Sequence, residues 1–133
     1  MKNIKIYELF AGIGSQYKAC KNIASKLKVN FVSLGACEWY IDAIIAYMKI
    51  HYGSVLHESE LSKNEMVNLL NKFTFSADSK KEVGVAYFSR MNELKLRSIF
   101  PYLFGFVNYD YFSQKWDKSK IENRGGARVP LVY

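Results

Sequence analysis

The stretch Ile4-Lys5-Ile6-Tyr7-Glu8-Leu9-Phe10-Ala11-Gly12-Ile13-Gly14-Ser15 decides how this chain is read. Its first seven residues are β-prone and half alternating, which predicts a strand over 4–10. Residues 11–15 break that strand, and Ser15 is the expected N-cap of a helix. Behind it, Tyr17, Cys20, Ala24 and Leu27 recur on one helical face, with Lys18, Lys21, Lys26 and Lys28 elsewhere. Asn30 is the expected stop. Residues 31–37 form a second apolar strand ending at Glu38. Ile41, Ile44, Ile45, Met48 and Tyr52 then stripe a second helix, with Asp42 near its positive end and Gly53 closing it. Strands alternating with helices of this length pair in parallel through right-handed crossovers. The expected class is α/β.

The glycine loop carries the chemistry. Gly12 and Gly14 at a strand-to-helix junction let the backbone turn tightly and approach a ligand closely. The helix N-terminus behind them offers unpaired N–H groups and a positive dipole. Glu38 ends the next strand, where a carboxylate can accept both hydroxyls of a ribose, and Trp39 beside it offers a face for an adenine. Loop, helix and acid describe a nucleoside-binding half-site. No Gly-Lys-Ser/Thr follows four residues after a glycine, so ATP bound through a P-loop is excluded. Tyr17 stands where the dinucleotide fingerprint has its third glycine. The pattern leans toward a phosphate-free ligand such as S-adenosylmethionine (SAM) over NAD, and an NAD-binding Rossmann domain is the alternative.

Composition sets the frame for the rest. The 133 residues suit one domain with a real core, and 16% aromatics is too rich for a disordered chain. Cys20 and Cys37 fit no disulfide framework or zinc spacing, and they read as small buried hydrophobes. His51 and His57 have no ligand cluster near them, so no metal is expected. Neither a leader nor a membrane span is visible, and the expected setting is cytoplasmic. The net charge of +7 looks evenly spread, with seven Lys and three acids in residues 1–53.

Beyond residue 53, a helix is predicted over 58–73, with Glu58, Glu60 and Glu65 on its solvated face. A polar connection follows over 75–81, then a helix over 91–99 that Pro101 interrupts. The aromatic run over 99–116 reads first as packing and second as a stacking surface for single-stranded nucleic acid. Residues 117–133 turn polar, and Arg124-Gly125-Gly126-Ala127-Arg128 is a single weak RGG-like segment.

Residues 8–14, Glu-Leu-Phe-Ala-Gly-Ile-Gly, resemble the first motif of the DNA (cytosine-5) methyltransferases of bacterial restriction-modification systems. Cys37-Glu38-Trp39 and the helix over 41–51 resemble the second. Glu8 stands where many members carry Asp, and Ser15 where many carry Gly. The resemblance covers about residues 4–53. It implies a partial SAM-dependent methyltransferase (Rossmann-like) fold with SAM as cofactor. Phe10, Ala11, Gly12, Ile13 and Gly14 would form the cofactor loop, Glu38 would bind ribose, and Trp39 would border adenine. The implied organisation is a SAM-binding βαβα half over 1–53, a helical aromatic-rich continuation of the same domain over 54–116, and a polar tail over 117–133.

The family attacks cytosine with a cysteine that follows a proline. Here Pro101 and Pro130 precede Tyr102 and Leu131, and the cysteines follow Ala19 and Ala36, so no catalytic residue is assigned. The resemblance therefore implies the SAM-binding amino-terminal part of such an enzyme, inactive alone, with DNA as the complete enzyme's substrate. A non-catalytic subunit that joins a second chain carrying the nucleophile is the other reading.

Overall fold

The computed structural model describes residues 1–115. Trp116, the expected polar tail, the RGG-like segment and Pro130 lie outside the described residues. In chain order the elements are strand β1 (Lys2–Glu8), helix α1 (Ser15–Leu27), strand β2 (Val29–Ala36) and helix α2 (Ile41–Tyr52), then helices α3 (Lys63–Leu70), α4 (Glu93–Val107) and α5 (Tyr109–Lys115). The two strands pair in parallel, as the β-helix-β order requires. Both begin and end earlier than their apolar runs suggest. Lys2 and Asn3 are exposed strand residues opposite Val29 and Asn30, with side chains that cannot signal a strand. The register slips between Ile6 and Tyr7, so Leu34 is left over as a bulged, exposed residue.

Helix α1 packs on the strands through Tyr17, which is buried, and through half-buried Cys20 and Ala24. Leu27, expected on that face, is 55% exposed. Two boundary residues also differ from expectation. Gly14 in a left-handed conformation, and not Ser15, is the N-cap, and Lys28, also left-handed, closes the helix, leaving Asn30 inside β2. Lys28 sends its N–H back to the carbonyls of Ala24 and Ser25, which satisfies the helix end.

The main core lies in the helical part. Along α4 every residue from 100 to 106 is buried, which makes it the central helix, with α2, α3 and α5 against it. The aromatic run therefore packs: Phe106 meets Tyr47 edge to face at 5.5 Å, and Phe100 stacks on Phe104 at 5.2 Å. Gly105 lets α5 come close, because a Cβ there would stand 2.5 Å from the Phe112 ring.

Pro101 does not interrupt α4. A proline in a helix removes the N–H that would bond the carbonyl four residues back, here that of Arg97. That carbonyl accepts instead from the backbone N–H of Glu58 at 3.0 Å. The Arg97 guanidinium returns two bonds, to the carbonyls of Glu58 and Leu61 at 3.0 and 2.9 Å. Residues 58–62 are thus fastened to α4 and are not helical. Helix α3 starts at Lys63 behind a capping box, in which Ser62 accepts from the Glu65 N–H and Glu65 accepts from the Ser62 N–H.

The expected solvated acid face is corrected at Glu58 alone, since Glu60 and Glu65 are exposed. Glu58 has a fully buried side chain. It accepts from Lys115 Nζ at 2.6 and 2.7 Å, from the Tyr111 hydroxyl, and from the N–H groups of Glu60 and Leu61. Burial pushes its pKa up, but these donors outweigh burial and hold it at about 2.

Candidate nucleoside-binding loop

The loop between β1 and α1 is built by carboxylates at both strand ends. Glu8, the last residue of β1, is 2% exposed, and its Oε1 accepts from the Tyr17 N–H at 3.2 Å. Gly14 has no side chain to cap α1, so Glu8 serves one of the helix's first N–H groups from outside, where the helix dipole favours negative charge. Burial raises the Glu8 pKa against that bond, and its Oε2 has no hydrogen-bond partner among the described residues.

Strand pairing continues into the loop. The Cys37 N–H donates to the Glu8 carbonyl at 2.8 Å, and the Ala11 N–H donates to the Cys37 carbonyl at 2.9 Å. Glu38 then reaches across. Its Oε2 accepts from the Gly12 N–H at 2.9 Å, and its Oε1 accepts from the N–H groups of Trp39 and Tyr40 at 2.8 and 3.0 Å. The two sequence segments singled out above are therefore in direct contact through one buried carboxylate.

Phe10, Gly12 and Gly14 all have positive φ, at 52°, 55° and 76°. For Phe10 that conformation costs on the order of 1 kcal/mol, yet the ring is 83% exposed and repays none of it by burial. Gly12 faces open space, with nothing within 4 Å of a would-be Cβ. A ligand can approach the backbone there. At Gly14 a Cβ would lie 2.2 Å from His51 Nε2 and 2.8 Å from the Tyr47 ring. Ile13 is exposed, Ala11 is partly buried against the core, and Trp39 is half-buried.

Two residues outside the glycine and acid motifs also build the loop. His51, on α2, donates through Nε2 to the Ile13 carbonyl at 3.3 Å and packs on Tyr47 at 4.3 Å. Burial lowers its pKa, and Lys21 and Lys18 lower it further. Its spacing from Ile44 and Tyr47, seven and four residues back, is the signal that puts it on the inner face of α2. Ser76, fully buried, bonds the backbone of Trp39 and Ile41 at 2.8 and 2.9 Å, so the polar connection braces the residues after Glu38. Among the described residues no group of three or more His, Cys, Asp or Glu is placed to hold a metal ion. A groove of about 480 Å³ beside Leu56, Glu60 and Gln114 lies elsewhere, against the Glu58 network.

No family model matches the chain. A curated protein does: the orphan methyltransferase M.SssI of Spiroplasma monobiae is 34% identical over 101 residues. Over that stretch the chain is similar to a part of a DNA cytosine-5 methyltransferase. The match covers 74% of this chain and 25% of M.SssI, so the chain spans about a quarter of the length of that methyltransferase. Wherever its ends lie, a match of that extent includes the middle of the chain, with Glu38, Trp39 and Glu58. The similarity to M.SssI therefore reaches past residue 53, where the motif resemblance stops.

Proposed function

We propose that the chain is the SAM-binding amino-terminal part of a DNA (cytosine-5) methyltransferase of the restriction-modification type, built as a partial Rossmann-like methyltransferase domain. The observation that carries this reading is the 2.9 Å bond from the Gly12 N–H to Glu38 Oε2, which sets the open glycine backbone beside the acid. The residues fit the cofactor. Gly12 leaves space for close approach, and Glu38 is an acceptor for a ribose hydroxyl. Phe10 and Trp39 offer aromatic surface, with Ala11, Ile13 and Gly14 completing the loop. SAM supplies an activated methyl group, which the complete enzyme passes to C5 of a flipped-out cytosine in DNA. This chain contributes binding and orientation. It has no Pro-Cys pair, and it is expected to be inactive alone in its proposed cytoplasmic setting.

A second reading is a subunit completed by another chain that carries the nucleophile, and the open face of the sheet is compatible with it. Parallel sheets of α/β domains are covered on both faces. Here α1 covers the face of Ile4 and Ile6, while Lys5 and Tyr7 on the opposite face are exposed. Either more of the same domain or a partner belongs there.

Calorimetric titration with SAM, and with its demethylated product, tests the primary reading. Heat saturating in the micromolar range, lost in Glu38→Ala, is the expected result. No heat at high micromolar ligand, with Glu38→Ala behaving identically, refutes the cofactor assignment. Recovery of methylation on mixing with a chain that holds a Pro-Cys motif separates the subunit reading from a lone fragment.

A further inference from the structure

Burial changes the charge distribution that composition alone presents. Of the three acids in residues 1–53, Glu8 and Glu38 are buried and engaged by backbone N–H groups, leaving Asp42 as the exposed acid. All seven lysines of that stretch are exposed. In residues 54–115 acids and bases nearly balance. Among the described residues the exposed positive charge is therefore concentrated on the β1-α1-β2 unit.

Within that unit the lysines gather on one element. Tyr17 and Ala24 turn α1 toward the strands, which sends Lys18 and Lys26 to its outer side, with Lys28 immediately after it, while Lys21 lies beside the Tyr17 ring at 5.6 Å. Lys2, paired with Val29, lies at the same end of the sheet as Lys28. Exposed Ser15, Gln16, Asn22 and Ser25 are interleaved with them. Lys18 and Lys28 are about 15 Å apart along the helix, which spans several phosphates of one strand. Lysines mixed with hydroxyl and amide side chains are the usual donors to phosphate oxygens.

We infer that the outer face of α1 is a contact surface for the phosphate backbone of duplex DNA, separate from the glycine loop. The inference takes DNA as the polyanion from the proposed function. It does not depend on SAM, so calorimetry and DNA binding fail independently. The interaction is electrostatic and independent of sequence, and it holds flanking duplex against the protein without reading it.

The test measures binding of the 133-residue chain to a fluorescent 20-base-pair duplex by anisotropy between 50 and 200 mM salt. A triple variant Lys18→Gln, Lys26→Gln, Lys28→Gln is compared with a control triple, Lys72→Gln, Lys80→Gln, Lys95→Gln, that removes the same charge from exposed positions of the helical part. Gln matches Lys in helix propensity, and circular dichroism checks that both variants fold. The expected result is about a tenfold loss at low salt for the α1 triple, with a log–log salt slope shallower by about 2.7 at 0.9 per lost phosphate contact, and little change for the control. Equal losses in the two triples, no loss in the α1 triple, or no binding by the parent chain would overturn the proposal. Equally lysine-dependent binding to vesicles of phosphatidylserine and phosphatidylcholine would also overturn it, by marking the face as a membrane surface.

Discussion

The backbone N–H of Glu58 donates to the carbonyl of Arg97, the acceptor that Pro101 leaves without its helical donor. One hydrogen bond thereby joins residues 39 positions apart and lets a proline sit inside a continuous, buried helix. Arg97 reciprocates through its side chain, so the loop and the helix each satisfy polar groups of the other.

Pro101→Ala is consequently expected to change stability by less than about 1 kcal/mol, against the ~3 kcal/mol typical of a proline inside a helix. The Arg97 carbonyl already has a donor, and an alanine N–H can only share it. Urea unfolding measures the difference. A gain near 3 kcal/mol would show that α4 is strained at this point.

Acid is expected to destabilise the protein through Glu58. Its folded pKa of about 2 lies below the ordinary value of 4.5, so the stabilisation is complete above about pH 5 and is lost as pH falls toward 2. The shift corresponds to roughly 3 kcal/mol at neutral pH. Glu8 runs the other way, since burial raises its pKa and its contribution to stability falls as pH rises through its titration. Chemical denaturation from pH 7 to 3 should show the parent losing stability while Glu58→Gln, weaker at pH 7, loses much less.

Gly14→Ala is expected to harm the loop more than Gly12→Ala. Both pay about 1 kcal/mol for a left-handed backbone, but only at position 14 does the new Cβ strike His51 and Tyr47. Adding His51→Ala to Gly14→Ala should recover part of the lost stability and SAM affinity. A purely additive double-mutant cycle, measured by denaturation and calorimetry, would contradict the contact.

Gly105→Ala should destabilise by about 1–3 kcal/mol despite alanine's better helix propensity. The added methyl meets a buried Phe112 ring at 2.5 Å, and overpacking outweighs the propensity gain of about 1 kcal/mol. A rise in thermal midpoint would mean that α5 moves aside freely.

The first fifty residues were legible because their signals are local. The alternation over 4–10, the glycines and the stripe from Ile41 to Tyr52 each report on neighbours within a few residues. Boundaries slipped where polar residues entered a strand, as at Lys2 and Asn3, or where the cap came from elsewhere, as with Glu8 at α1. The burial of Glu58 is not legible in the sequence because its partners Arg97, Tyr111 and Lys115 lie 39 to 57 residues away, and a carboxylate beside Ser59 and Glu60 looks solvated. The place of Pro101 inside α4 is hidden for the same reason, since the Glu58 N–H that relieves it is distant in sequence. The joining of Gly12 to Glu38 was only implied by the crevice expected of a β-helix-β unit, and the hydrogen bond gives it a geometry.

Glu38 spends three lone-pair positions on Gly12, Trp39 and Tyr40. Folding itself therefore sets the glycine loop, so an incoming ligand has no loop to order and keeps that entropy as affinity. The carboxylate has only acceptor capacity to spare, so it discriminates by hydrogen-bond polarity. On the proposed cofactor reading, a ligand hydroxyl that can donate would complete the carboxylate, and the same position bearing an ether or a bare hydrogen would leave it desolvated without return.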